Sequence, residues 1–125
     1  AGYSSDDVLY INAHGTGTAL NDVSETKAFK LALAEDAYRV HISSTKGSTG
    51  HMLGAAGSAE AIAAVLALKN GIVPPTINLD EIEPECDLDY TPNTPVKADL
   101  TMAISVSLGF GGHNGCVSFR KYEGR

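Results

Sequence analysis

Nowhere in its 125 residues does this sequence collect the roughly 20 consecutive apolar residues that a membrane-crossing helix needs. Its longest apolar region, Ala55–Leu68, is broken by Gly57, Ser58 and Glu60. Positive charge is scarce as well: 9 Lys and Arg stand against 15 Asp and Glu, for a net charge of −6, and the cations are scattered. Binding of nucleic acid needs a clustered basic face, so no nucleic-acid partner is expected, and no membrane partner either. Cysteine is limited to Cys86 and Cys116, which follow neither a disulfide framework nor a zinc spacing. A reducing, cytoplasmic compartment is the expectation. The N-terminal stretch Ala1–Asp7 has no basic segment leading into an apolar one, so no signal peptide is expected.

What is present is enough apolar material for a core. Hydrophobic residues make up 43% and charged residues 19%, which excludes a disordered tail. The length suits one domain or a piece of a larger protein, and a start in a loop that runs straight into an apolar strand suggests missing upstream sequence. Val8–Ile11 is a continuous apolar run, as expected of a strand buried on both faces. Asp22, with Glu25 three positions on, reads as the N-cap of a helix reaching about Glu35. Val40–Ser44 reads as a second strand followed by a loop, Thr45–His51. The strongest helix runs from Leu53 or Gly54 to Asn70, with Gly71 just past its end. It is apolar on nearly every side, which implies burial between layers. Val73–Thr76 is extended by its prolines, Glu81–Val96 reads as a surface loop, and Met102–Leu108 and Cys116–Lys121 read as an antiparallel strand pair. Strands alternating with helices imply an α/β fold with a mixed, mostly parallel sheet ending in that pair.

Three loops that follow apolar strands carry residues with chemistry. They are Asn12-Ala13-His14-Gly15-Thr16-Gly17-Thr18, then Ser44–His51 with Lys46 and His51, then Gly109-Phe110-Gly111-Gly112-His113-Asn114-Gly115. In open α/β sheets, sites gather at the carboxyl ends of strands, which would bring His14, Lys46, His51 and Phe110 to one edge.

Together these blocks resemble the signature blocks of β-ketoacyl-acyl-carrier-protein synthases of the type II elongating class. The likeness is helped by Val73-Pro74-Pro75-Thr76-Ile77-Asn78-Leu79 and extends from about Val8 to Lys121. It implies a thiolase-like fold of αβαβα layers, of which residues 1–125 would be the C-terminal domain. It also implies a decarboxylative Claisen condensation between malonyl-acyl-carrier-protein and an acyl group held on a cysteine. Substrates would arrive on the phosphopantetheine arm of acyl carrier protein, with no cofactor and no metal of the enzyme's own, in a homodimer of the cytoplasm or, in a plant, the plastid stroma. By the same resemblance His14 and His51 match the histidines that donate to the malonyl thioester oxygen. Lys46 matches the lysine of that site, and Glu60 the carboxylate facing it. Phe110 matches an oxyanion donor and the gate of the acyl pocket, while Thr16 and Thr18 match the hydroxyls on the pantetheine arm. His113 departs from the Thr or Asn usual beside the glycine pair, and His41 reads as structural.

The nucleophile itself is missing. Neither Cys86, in an acidic loop, nor Cys116, opening a strand, has the helix N-terminus that lowers a thiol pKa. The family takes its cysteine from an N-terminal half, so this chain alone is expected to be inactive and to expose apolar surface where that half packs. Two other readings stand beside this one: a ketosynthase domain of a polyketide synthase, and a non-catalytic chain-length-factor partner. Retention of His14, Lys46 and His51 together argues against the partner. A zinc site from His14, His51 and His113 lacks ligand spacing, and Thr45-Lys46-Gly47 lacks the glycine pattern of a phosphate loop.

Overall fold

The computed structural model describes residues 1–122. Its main sheet has four strands in the order β2-β1-β5-β6: β1 (Leu9–Asn12), β2 (His41–Ser43), β5 (Met102–Gly109) and β6 (His113–Arg120). Both β2 and β5 run parallel to β1, with Ile11 opposite Ile42 on one side and Ile104 on the other. Only β6 is antiparallel, pairing with β5 from Met102↔Arg120 to Gly109↔His113. The mixed, mostly parallel sheet closing in a hairpin is the expected one.

Helices cover both faces. On one, α1 (Ala19–Leu33) sets Phe29 into a core with Leu9, Ile11, Ile42 and Met102. On the other, α3 (Ala56–Asn70) sets Ala64, Ala67 and Leu68 against Tyr10, Leu100 and Ala103. Successive β1 side chains therefore enter opposite cores, which explains an apolar run without alternation. Gly71 ends α3 in the left-handed region, φ 65°, ψ 37°, as its place in the sequence implied.

Four expectations are corrected. Helix α1 begins at Ala19, a turn before Asp22; its cap position is Thr18, whose side chain makes no capping bond, and Asp22 lies within the first turn. The segment after β2 is not all loop, because Lys46–Thr49 closes a single helical turn, α2. Helix α3 is not buried on every side: Ile62, Val65 and Leu66 are 61%, 41% and 51% exposed, because within these residues only one sheet lies against it. A smaller ribbon pairs β3 (Ile72–Val73) antiparallel with β4 (Val96–Lys97), so the surface loop ends one residue earlier than expected.

Candidate active site

Because β1, β2 and β5 are parallel neighbours, the loops that follow them leave the sheet at one edge. That edge carries His14, then Lys46 and His51, then Phe110. The first two loops converge closely: the rings of His14 and His51 meet edge to face, centroids 5.5 Å apart at 87°.

His14 is placed through its backbone. Glu25, buried on α1, accepts the His14 N–H at 2.7 Å on one carboxylate oxygen and the Gly15 N–H at 2.9 Å on the other. Burial pushes the Glu25 carboxyl up, opposed by those two hydrogen bonds. Gly15 has φ +43°, and a Cβ there would stand 2.5 Å from the Ser44 Cβ, so only glycine fits where the two loops touch. Ser44 closes the contact by donating its hydroxyl to the Gly15 carbonyl at 2.8 Å.

His14 is 7% exposed, and its pKa is lowered, first by burial and then by the neighbouring Lys46 and His51. It is therefore neutral near pH 7. Its Nδ1 is buried with no partner among the described residues. In His51, Nδ1 accepts the Leu53 N–H at 3.1 Å, which leaves Nε2 as the donor of that ring. Leu53 delivers that N–H from the left-handed region, φ 52°, a conformation costly for a residue with a side chain.

Lys46, at the start of α2, forms an ion pair with Glu60 of α3, their side chains 6% and 3% exposed. Burying the ammonium alone would be prohibitive, and Glu60 compensates it. The expected facing of the two residues is thus observed. Glu60 Oε2 remains buried without a partner among the described residues. Thr16 and Thr18 join their hydroxyls at 2.9 Å. Thr16, Glu25, Lys46, His51, Ile77 and Tyr90 line part of a cavity of about 420 Å³ that opens beside the histidine loops. Phe110 stands apart from this cavity, 96% exposed, in the tight turn Phe110–Gly112 between β5 and β6, where Gly111 and Gly112 take φ of 77° and 86°. His113 opens β6 on the surface. Cys86 is a buried thiol whose pKa is raised by burial, and Cys116 is exposed on β6; neither begins a helix.

Sequence reading passed over Glu25 as half of a capping box and did not single out Ser44. The signal for Glu25 was present: an acid on the buried side of α1, beside Thr26 and Phe29, needs hydrogen-bond donors.

A sheet with helices on both faces, with two imidazoles and a buried lysine–glutamate pair at its carboxyl edge, places the chain in the thiolase-like fold class. Residues 1–80 match the family model described as beta-ketoacyl synthase, C-terminal domain, and the chain belongs to that family. It is 51% identical over 123 residues to 3-oxoacyl-[acyl-carrier-protein] synthase 2 of Synechocystis sp., covering 98% of this chain and 30% of that protein. Among solved structures it resembles a type II polyketide synthase acyl-carrier protein in complex with its ketosynthase bound to the hexaketide (TM-score 0.90, 40% identity, 95% of this chain and 29% of that one). It also resembles a beta-ketoacyl synthase from Burkholderia phymatum (TM-score 0.86, 37% identity, 94% of this chain and 28% of that one). The chain thus spans about 30% of the curated relative's length.

Proposed function

We propose that this chain is the C-terminal catalytic part of a 3-oxoacyl-[acyl-carrier-protein] synthase of fatty acid elongation. The observation that carries the reading is the His14–His51 pair, with centroids 5.5 Å apart and Nε2 left as the donor of His51. In the reaction a cysteine of the absent half first takes the acyl group from its carrier thiol. The malonyl carboxylate then leaves as CO2, and the electron pair of the broken C–C bond moves into the thioester, putting negative charge on its oxygen. His14 and His51 donate to that oxygen. The resulting carbanion attacks the acyl-cysteine carbonyl, and collapse expels the thiolate, which regains a proton. Donors fixed in advance at a developing oxyanion are worth about 2.7–4 kcal/mol each. Lys46, held by Glu60, lends positive charge and adds to burial in lowering the His14 pKa. Phe110 supplies an N–H to the acyl-cysteine oxygen and a ring at the acyl pocket, and Thr16 and Thr18 hold the pantetheine arm.

The reading needs no cofactor beyond the carrier's phosphopantetheine. Its partners are acyl carrier protein, the N-terminal half, and a second full-length copy in a cytoplasmic homodimer. An acyl-carrier protein accompanies the ketosynthase in one similar structure, and no helix among the described residues is long and apolar enough to cross a membrane. The exposed Ile62, Val65 and Leu66 of α3 offer the N-terminal half an apolar seat. A polyketide ketosynthase is the second reading, favoured by the 40% identity to the hexaketide-bound complex, but the 51% identity to the fatty acid enzyme outweighs it. The test is co-expression with the N-terminal half and assay of malonyl-acyl-carrier-protein decarboxylation and condensation. Activity of the pair, absent from this chain alone, supports the proposal; an inactive but properly assembled pair overturns it.

A further inference from the structure

We propose that Thr76, which lies outside the histidine loops, is a positioning residue for the His14–His51 pair. This rests on the ketosynthase reading. The Thr76 hydroxyl accepts the Ser44 N–H at 3.0 Å and donates to the Tyr90 carbonyl at 2.6 Å. Ser44 is the first residue beyond β2, where the chain leaves the sheet and turns into α2 and His51. The Ser44 hydroxyl in turn donates to Gly15, next to His14. One line of hydrogen bonds thus runs from Tyr90 through Thr76 and Ser44 to the first histidine loop, and Ser44 also leads into the second.

The segment bearing Thr76 is anchored without this hydroxyl. The Thr76 N–H donates to the Thr91 carbonyl at 2.9 Å and its carbonyl accepts the Asn93 N–H at 2.8 Å. The Thr91 hydroxyl donates to Ile42 in β2 at 2.8 Å. Ile77 presses against α2 so closely that a Cβ on Gly47 would come within 2.9 Å of it. Removing the Thr76 hydroxyl therefore leaves the segment in place but strips the Ser44 N–H of its acceptor. The turn into α2 would then relax, and with it the distance between the two imidazoles. Displacements on the order of 1 Å in such a site cost about 100-fold in rate.

The experiment compares Thr76→Val, a near-isostere without the hydroxyl, with Thr76→Ser, which keeps it, in the full-length synthase carrying this chain. For Thr76→Val, kcat for malonyl-acyl-carrier-protein decarboxylation is expected to fall by at least about ten-fold, with KM changed by less than about two-fold, and Thr76→Ser is expected to restore it. The histidine signals of 15N-histidine-labelled protein are read on the same variants without substrate. They should move in Thr76→Val and return in Thr76→Ser. Unmoved signals with a wild-type kcat, or a Thr76→Ser variant as impaired as Thr76→Val, would overturn the proposal. If the wild-type synthase lacks activity, the ketosynthase reading fails, and the histidine signals alone decide whether Thr76 positions the pair.

Discussion

Glu25 holds His14 without touching its ring: the carboxylate, 11 residues further along the chain, takes the backbone N–H of His14 at 2.7 Å and that of Gly15 at 2.9 Å. The loop is thereby fixed from behind, leaving the imidazole to its neighbour. Glu25→Ala leaves two N–H groups unpaired in a buried site, at about 1–3 kcal/mol each. A loss of roughly 2–6 kcal/mol is expected in denaturant unfolding of the assembled protein, with a smaller loss for Glu25→Gln, whose carbonyl keeps one bond. Unchanged stability in Glu25→Ala would remove the anchor from the account.

Lys46 and Glu60 should behave as one unit. Removing either partner leaves an uncompensated buried charge, so Lys46→Met and Glu60→Gln are each expected to cost about 3–5 kcal/mol. The double variant Lys46→Met with Glu60→Met should lose much less than the sum of Lys46→Met and Glu60→Met alone. A double-mutant cycle from unfolding midpoints measures this, and simple additivity would count against the pairing.

Gly15 and Ser44 are matched in shape. Gly15→Ala places a methyl 2.5 Å from the Ser44 Cβ at φ +43° and is expected to destabilise by about 1–3 kcal/mol. Adding Ser44→Gly should recover part of that loss by opening the space. Thermal unfolding of the two variants decides it; no recovery would place the strain elsewhere.

Two pH dependences follow from opposite environments. For His14 the folded pKa lies below the ordinary 6.5. The unfolded chain therefore takes up a proton first, and the His14 contribution to stability is lost as pH falls from 6.5 towards the depressed value. A 15N titration should give a His14 midpoint under 6.5. For Asp7, the Arg120 guanidinium, the Ser4 N–H and the Thr101 hydroxyl hold the carboxyl well below its usual 3.8. Its contribution is present above pH 3.8 and lost as pH falls further. The difference in urea midpoint between wild type and Asp7→Asn should accordingly shrink below about pH 4.

Much of this was legible in the residues because local pattern and tertiary role agree. Val8–Ile11 is apolar without alternation because its side chains enter two cores, and Gly71 ends α3 because nothing with a Cβ sits easily at its φ. The first two loops were readable because each follows an apolar strand, whereas the third was read too long: Gly109 belongs to β5 and His113–Gly115 to β6, leaving Phe110–Gly112 as the turn. Misreadings occurred where one local signal served two physical roles. Asp22 and Glu25 spell a capping box, yet Glu25 turns to backbone donors that only the folded loop brings near. Ile62, Val65 and Leu66 complete an apolar helix, but apolarity says only that a surface is to be covered, not which chain covers it. Ser44 looks like any strand-end serine until Gly15 is seen against it.

The central claim, that two imidazoles serve one oxygen, is tested most directly by malonyl-acyl-carrier-protein decarboxylation in the assembled synthase bearing His14→Ala, His51→Ala or both. Each single variant is expected to lose about 100- to 1,000-fold in kcat, as when one oxyanion donor is removed. The double variant should fall no further than the product of the two. A single variant that decarboxylates at the wild-type rate would contradict the account.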